Sequence, residues 1–265
     1  MRRITIIVAA TLTVLATAVP AFAGAPEGPA HIALGDSVAA GSGANNANTG
    51  YVPRLSRYLR AVDCSDADAA ACPHLQLIDY SVGGAKSIDL INDQLGPATN
   101  EIMTRATDEN PNNDVEFITV TIGGNDVFAP VLGACSGGIN DYCAATIGTV
   151  FGNYTANLST ILGTLRAVAP TAEIAIMTYD NPLRTCYLAD LGLAPLADLV
   201  LEGGGPLPGG LNDIIRGVAA GVGGITVVET YGLLDSNDWV GGQDCLHPDD
   251  SGHLKIAKAF RSAMG

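Results

Sequence analysis

Basic residues are scarce in this chain: 13 Lys and Arg stand against 27 Asp and Glu, a formal charge of −14. A surface that acidic repels nucleic-acid phosphates and anionic membrane faces, so no nucleic-acid partner is expected. Charged residues of both signs fill only 15% of the 265 positions and hydrophobic ones 48%, a balance that excludes a disordered polar chain and a coiled coil. After the N-terminal segment no run is long and apolar enough to cross a bilayer. The G-x-S-x-G turn that carries the nucleophile in α/β-hydrolases is absent. No two of the six cysteines have zinc-finger spacing and no histidine lies at the matching distance, so neither a metal nor a cofactor is expected.

What is present starts with a leader. Arg2 and Arg3 precede an apolar run from Ile4 to Phe22 that closes on Ala21-Phe22-Ala23. This is the layout of a cleavable secretory signal over residues 1–23, with a single domain over 24–265. The expected product is an extracellular monomer with no stable membrane insertion after cleavage. Six cysteines agree with export, where they pair as disulfides. Cys64 and Cys72 are eight apart, as are Cys135 and Cys143; two local staples are expected, Cys64–Cys72 and Cys135–Cys143, leaving Cys186–Cys245.

Apolar, β-branched runs alternate with helical patterns along the rest of the chain. Five short strands are predicted, from His31 to Leu34, Leu75 to Tyr80, Val115 to Ile122, Glu173 to Tyr179 and Ile225 to Tyr231. Helices are predicted over Val52 to Val62, Ser87 to Leu95, about Thr149 to Val168, Leu211 to Ala220 and Ser251 to Met264, the last capped by Asp250 or Ser251. The alternation implies an α/β domain with a parallel sheet covered on both faces. Residues 128–148 and 181–210, rich in glycine, read as long loops.

In parallel α/β sheets sites form beyond the carboxyl ends of the strands. Gly35-Asp36-Ser37-Val38 follows the first predicted strand, Gly83-Gly84-Ala85 the second and Gly123-Gly124-Asn125-Asp126 the third, and Asp244-Cys245-Leu246-His247-Pro248 precedes the last helix. Together they supply a hydroxyl, glycine amides, a carboxamide, and an imidazole with a carboxylate three residues away. Acyl transfer needs a nucleophile, a base, an orienting acid and oxyanion donors. Ser37, His247 and Asp244 suit the first three roles. The backbone N–H groups of Ser37 and Gly84 and the Asn125 amide suit the fourth. His31, His74 and His253 read as structural or surface residues.

The order of these blocks resembles the GDSL or SGNH hydrolase family of esterases and lipases, over about His31 to Phe260. Gly35-Asp36-Ser37-Val38 is similar to the nucleophile block, with Val for the name-giving Leu. Ser81 to Ser87 resembles the second block, with Asp79 where an Asn is usual nearby and Lys86 for a common Thr. Gly123-Gly124-Asn125-Asp126 and Asp244-x-x-His247-Pro248 resemble the third and last. The cysteine pattern is similar to that of secreted actinobacterial lipases and esterases with three disulfides. The resemblance implies a flavodoxin-like three-layer α/β/α sandwich with a five-stranded parallel sheet, a shallow site and no metal. The expected function is a secreted serine esterase or lipase acting on lipid or small acyl esters. A carbohydrate O-deacetylase or a non-catalytic secreted binding protein are the alternatives. A metal cluster of His247, Asp249, Asp250 and His253 is the rival reading of the last block.

Overall fold

Aliphatic and β-branched residues pair into one parallel sheet of five strands: β1 Ala30–Gly35, β2 Gln76–Asp79, β3 Val115–Thr121, β4 Glu173–Met177 and β5 Ile225–Val228. Their order is β2-β1-β3-β4-β5, the flavodoxin-like doubly wound order, whose direction reverses between β1 and β3. The computed structural model describes residues 28–63, 75–184, 187, 192–242 and 244–264. Among the described residues, no helix is long and apolar enough to cross a membrane.

Alternation along each strand sorts the core into two layers. Ala33, Ala175 and Met177 face Tyr51 and Leu55 of α1 (Tyr51–Asp63) and Ile256 and Phe260 of α8 (Asp250–Ala263). Ile32, Leu34, Ile118, Val120, Ile174 and Ile176 face the other way, toward α3 (Leu95–Thr107), α4 (Gly124–Cys135), α5 (Asp141–Val168) and α7 (Leu211–Val222). The three-layer sandwich implied by the sequence is therefore present. The central strands β1, β3 and β4 are buried over most of their length, whereas edge strand β5 is largely half-buried and edge strand β2 alternates half-buried with exposed residues.

Several expectations about the connections are corrected. Residues 128–148 are mostly helix: α4 ends at Cys135 and α5 begins at Asp141, well before Thr149, with the Asn140 side chain accepting the Cys143 N–H. Glycine content hid an apolar stripe of Val127, Val131, Cys135, Cys143 and Ile147, all buried. The predicted helix from Ser87 to Leu95 is a short α2 (Ser87–Asp89) and a π-helical turn (Leu90–Gln94) that runs on into α3. Residues 181–210 contain a 3₁₀ turn (Pro182–Arg184) and α6 (Ala194–Glu202). An antiparallel hairpin of β6 (Trp239–Gly241) and β7 (Asp244–Pro248) went unpredicted. The cap of α8 is Asp249, not Asp250 or Ser251; its carboxylate accepts the N–H groups of Ser251 and Gly252.

Cys135 and Cys143 are bonded and join the end of α4 to the start of α5. The expected pairs Cys64–Cys72 and Cys186–Cys245 lie outside the described residues. By loop entropy, a bridge spanning eight residues stabilises the fold by about 2.5 kcal/mol. Cys135→Ser/Cys143→Ser should lose about that much in urea unfolding, while a loss near zero would show that the two helix ends hold together without the bond.

Candidate active site

The reversal of strand order between β1 and β3 opens a crevice at their carboxyl ends. β1 leaves the sheet at Gly35, with φ of +146°, and a Cβ built there would lie 2.1 Å from the Thr121 carbonyl oxygen. Only glycine fits so close to β3 with that backbone. Asp36 N–H then donates to the same Thr121 carbonyl at 2.9 Å. The turn is also held from the π-helical segment: Gln94 accepts the Gly35 N–H at 2.8 Å and donates to the Gly35 carbonyl at 2.9 Å. No motif pointed to Gln94; its role depends on a helix irregularity that composition does not encode.

Ser37 emerges half-buried from this turn. Its Oγ lies 2.9 Å from Nε2 of His247. The other ring nitrogen of His247, Nδ1, lies 2.8 Å and 3.0 Å from the two carboxylate oxygens of Asp244. A carboxylate can only accept, so Nδ1 carries a proton and Nε2 is free to accept from the Ser37 hydroxyl. Asp244 Oδ1 also accepts the N–H groups of Leu246 and His247. Burial works to raise the Asp244 pKa, but the bonds from His247 and these amides outweigh it and hold it below its ordinary value.

His247 and Asp244 sit on β7, so the imidazole is borne by a hairpin. That hairpin is fastened to α8 through Asp238, just ahead of β6. The Asp238 carboxylate takes Lys255 Nζ and the Ser251 hydroxyl, and its backbone carbonyl accepts the Asp249 N–H. In the sequence Asp244 to Pro248 stood as a block ahead of the last helix, with no strand assigned to it. Asp238 and Lys255 lack a recognisable pattern because their partners are distant in the chain.

Asn125, at the start of α4, lines the same cleft as Ser37 and His247. One of its amide hydrogens goes to the Ala85 carbonyl at 3.0 Å, which orients the group and leaves the second hydrogen available. Asp126 reaches back to the glycine loop, accepting the Ser87 N–H at 2.8 Å and hydroxyl at 2.6 Å. The loop is joined to the β1 turn by the Val82 N–H, which donates to the Gly35 carbonyl. Gly84 is not among the residues lining the cleft of Ser37; with φ of +81°, it lines a neighbouring groove with Val82, Asp89 and Asp93. Asp79, the departure from the usual Asn, accepts from the Ser81 N–H and hydroxyl, and Lys86 is exposed.

The cleft, about 130 Å³, is walled by Phe128, Tyr179, Leu234, Trp239 and Leu246. Sequence reasoning missed Tyr179 and Asp180: the fourth strand was expected to run on to Tyr179, whereas β4 ends at Met177, and the strand-end rule would have pointed only to Asp180. The Tyr179 hydroxyl donates to the Asp36 carboxylate, and its backbone is held by the Asn212 side chain. Asp180 accepts the N–H groups of Gly232 and Leu234 and so shapes the wall after β5.

The four residues of the rival metal reading do not converge on one point. His247 pairs with Ser37 and Asp244, Asp249 caps α8, Asp250 accepts from Asn45, and His253 bonds to backbone groups. His31 is fully buried with Nε2 at Thr119 Oγ1, and burial pushes its pKa down to about 3. His74 lies outside the described residues.

Residues 33–255 match the model of the GDSL-like Lipase/Acylhydrolase family. Lipase 2 of Streptomyces coelicolor is 30% identical over 271 residues, covering 89% of this chain and 85% of that protein. A lipase from a goat rumen metagenome has the same fold, with a TM-score of 0.61 at 18% identity over 89% of this chain and 97% of that one. The acetylxylan esterase Axe2 of Geobacillus stearothermophilus shares it with a TM-score of 0.55 at 16% identity, over 91% and 96%.

Asp36 yields a measurable consequence of this burial. Desolvation pushes its carboxyl from 3.8 up to about 6, with the Tyr179 hydroxyl and the Val38 N–H pulling the other way. The folded state therefore holds this proton more tightly than the unfolded chain. The stability this gives is full below about pH 4 and is lost as pH rises through about 6. Subtracting the urea-unfolding profile of Asp36→Asn from that of the native protein should leave a fall confined to that window. A flat difference would mean that Asp36 titrates normally.

Proposed function

The chain belongs to the GDSL-like lipase/acylhydrolase family and is an ester hydrolase, and from that premise we propose that it is a secreted serine esterase or lipase working through Ser37, His247 and Asp244. The observation that carries this reading is the bond pair on His247: Ser37 Oγ at Nε2 and Asp244 at Nδ1. Ser37 Oγ attacks the ester carbonyl carbon as its proton passes to Nε2. The C=O π bond opens and leaves a negative oxygen. The N–H of Ser37 and the free Asn125 amide hydrogen receive that charge, whereas Gly84 lines the neighbouring groove. The imidazolium returns the proton to the alkoxide as the ester C–O bond breaks, leaving an acyl serine. A water, deprotonated by the same nitrogen, releases the acid and regenerates the hydroxyl.

The substrate is an ester with an apolar acyl group, because the cleft wall is built from Phe128, Leu234, Trp239 and Leu246. Carbohydrate O-deacetylation would use the same reacting residues. The acyl-ester reading is favoured because both acidic side chains that line the cleft are already bonded within the protein, Asp180 to backbone amides and Asp36 to the Val38 N–H and the Tyr179 hydroxyl. Export follows from the leader over residues 1–23. The deciding assay sets a chain-length series of chromogenic acyl esters beside an acetylated glycan. Faster turnover of the glycan than of every simple ester would replace this substrate class with the deacetylase.

Ser37→Ala and His247→Ala should each lower kcat by several orders of magnitude with the fold intact, and the double variant should be little worse than either. A tenth of native activity in Ser37→Ala would remove Ser37 from the mechanism. Asn125→Ala should lower kcat by roughly 100- to 1000-fold at nearly constant KM, the cost of one oxyanion donor. A change in KM alone would make Asn125 a substrate-binding group instead.

A further inference from the structure

His253 lies six residues beyond His247 in the sequence and takes no part in the proton transfers above. It is fully buried on α8, facing the turn that follows Ser37. Nε2 lies 2.9 Å from the Ser42 carbonyl oxygen, and Nδ1 lies 3.2 Å from the Tyr51 backbone N–H. A carbonyl only accepts and an amide N–H only donates, so the ring has one tautomer, with its proton on Nε2. Burial, the largest influence, lowers its pKa and keeps it neutral, while the Ser42 carbonyl and Asp250 pull the other way and Arg54 and His247 add to the lowering.

These two bonds complete a closed circuit around the Asp36-Ser37 peptide. Ser42 N–H donates to the Ser37 carbonyl at 2.8 Å, and the Ser42 carbonyl is held by His253. The other side of the ring holds Tyr51, whose hydroxyl lies 2.6 Å from Thr121 Oγ1 and whose ring stacks on Phe260. Thr121 in turn accepts the Asp36 N–H through its backbone carbonyl. Every link is buried or half-buried, and the circuit returns to the residue beside Ser37. The next turn of the same loop touches the histidine strand. A Cβ at Gly43, where φ is +89°, would lie 2.2 Å from the Pro248 carbonyl oxygen and 3.0 Å from His247 Cβ. Displacing the 42–43 turn would thus disturb Ser37 and His247 together.

We propose that His253 is a positioning residue, which by bridging the Ser42 carbonyl and the Tyr51 amide holds the Ser37 turn in register with His247. The proposal rests on the reading of Ser37 as nucleophile. His253 acts through Ser42 and touches neither substrate nor the reacting atoms. An error of about 1 Å between reacting groups costs on the order of 100-fold in rate, so a loosened turn lowers kcat and leaves the acyl cleft, and with it KM, unchanged.

The test compares His253→Phe, His253→Gln and His253→Asn in the full chain with 4-nitrophenyl butyrate as probe. Phe keeps the ring and deletes both bonds. Gln places an amide nitrogen where Nε2 stood, within reach of the Ser42 carbonyl, whereas Asn reaches only the Nδ1 position. Arg166→Met is the stability control, since Arg166 binds the carbonyls of Ala169, Pro170, Ala172 and Gly224 away from the site. The expected result is a kcat lowered roughly 10- to 100-fold in the Phe and Asn variants at constant KM, substantial recovery in Gln, and native kcat in Arg166→Met at comparable loss of Tm. Equal losses in Gln and Asn, a loss that merely follows Tm, or native kcat in Asn would overturn the proposal. If the Phe variant does not fold, the Gln and Asn pair decides alone. Substantial activity in Ser37→Ala, measured alongside, would instead overturn the underlying reading of the nucleophile.

Discussion

The carbonyl of Thr121, at the end of β3, accepts the Asp36 amide across a gap in which Gly35 leaves no room for a side chain. Much of the site is referred to that contact. It brings the turn after β1 against β3 at the point where the strand order reverses, and so places Ser37 beside the loop that bears Asn125. The backbone must turn with positive φ there, which is strained for any residue with a Cβ. Gln94 saturates both polar groups of Gly35, so the tight turn buries no unpaired amide.

A second theme is the use of carboxylates as ligands for backbone amides. Asp36 takes Val38, Asp126 takes Ser87, Asp180 takes Asn181, Gly232 and Leu234, and Asp249 takes Ser251 and Gly252. Asp126 and Asp180 thereby join segments 39 to 54 residues apart, whereas Asp36 and Asp249 close a turn and a helix cap within three residues. The strongly acidic composition is therefore partly architectural. Where such a group is buried, as at Asp36, desolvation raises its pKa, and where it meets a charged or protonated partner, as at Asp244, the partner lowers it.

The two halves of the site are carried by different kinds of structure. Ser37 and Asn125 belong to the parallel sheet and the helices that cover it, whereas Asp244 and His247 belong to a small hairpin outside it. Among the described residues the hairpin has no sheet neighbour beyond its own pair of strands, and it is tied to α8, through Lys255 and Ser251 on Asp238, and to the loop at Gly43. The nucleophile side is thus set by long-range strand pairing and the base side by a few side-chain ties.

By itself the sequence determined the local content of this protein. Apolar β-branched runs of four to seven residues specify buried strands, and glycines with Ser37 and Asn125 mark strand ends, because those signals depend on neighbours in the chain. The blocks were legible for the same reason. Helix α4 and the first turns of α5 were not, since glycine, asparagine and Pro130 masked a stripe whose meaning came only from burial against the sheet. Nor were Tyr179, Gln94, Asp238 and His253. Their partners lie tens to hundreds of residues away, at Asp36, Gly35, Lys255 and Ser42. A hydrogen bond of that span leaves no period or spacing in the chain; only the packing of α8, β4 and the π-helical turn around one crevice decided it.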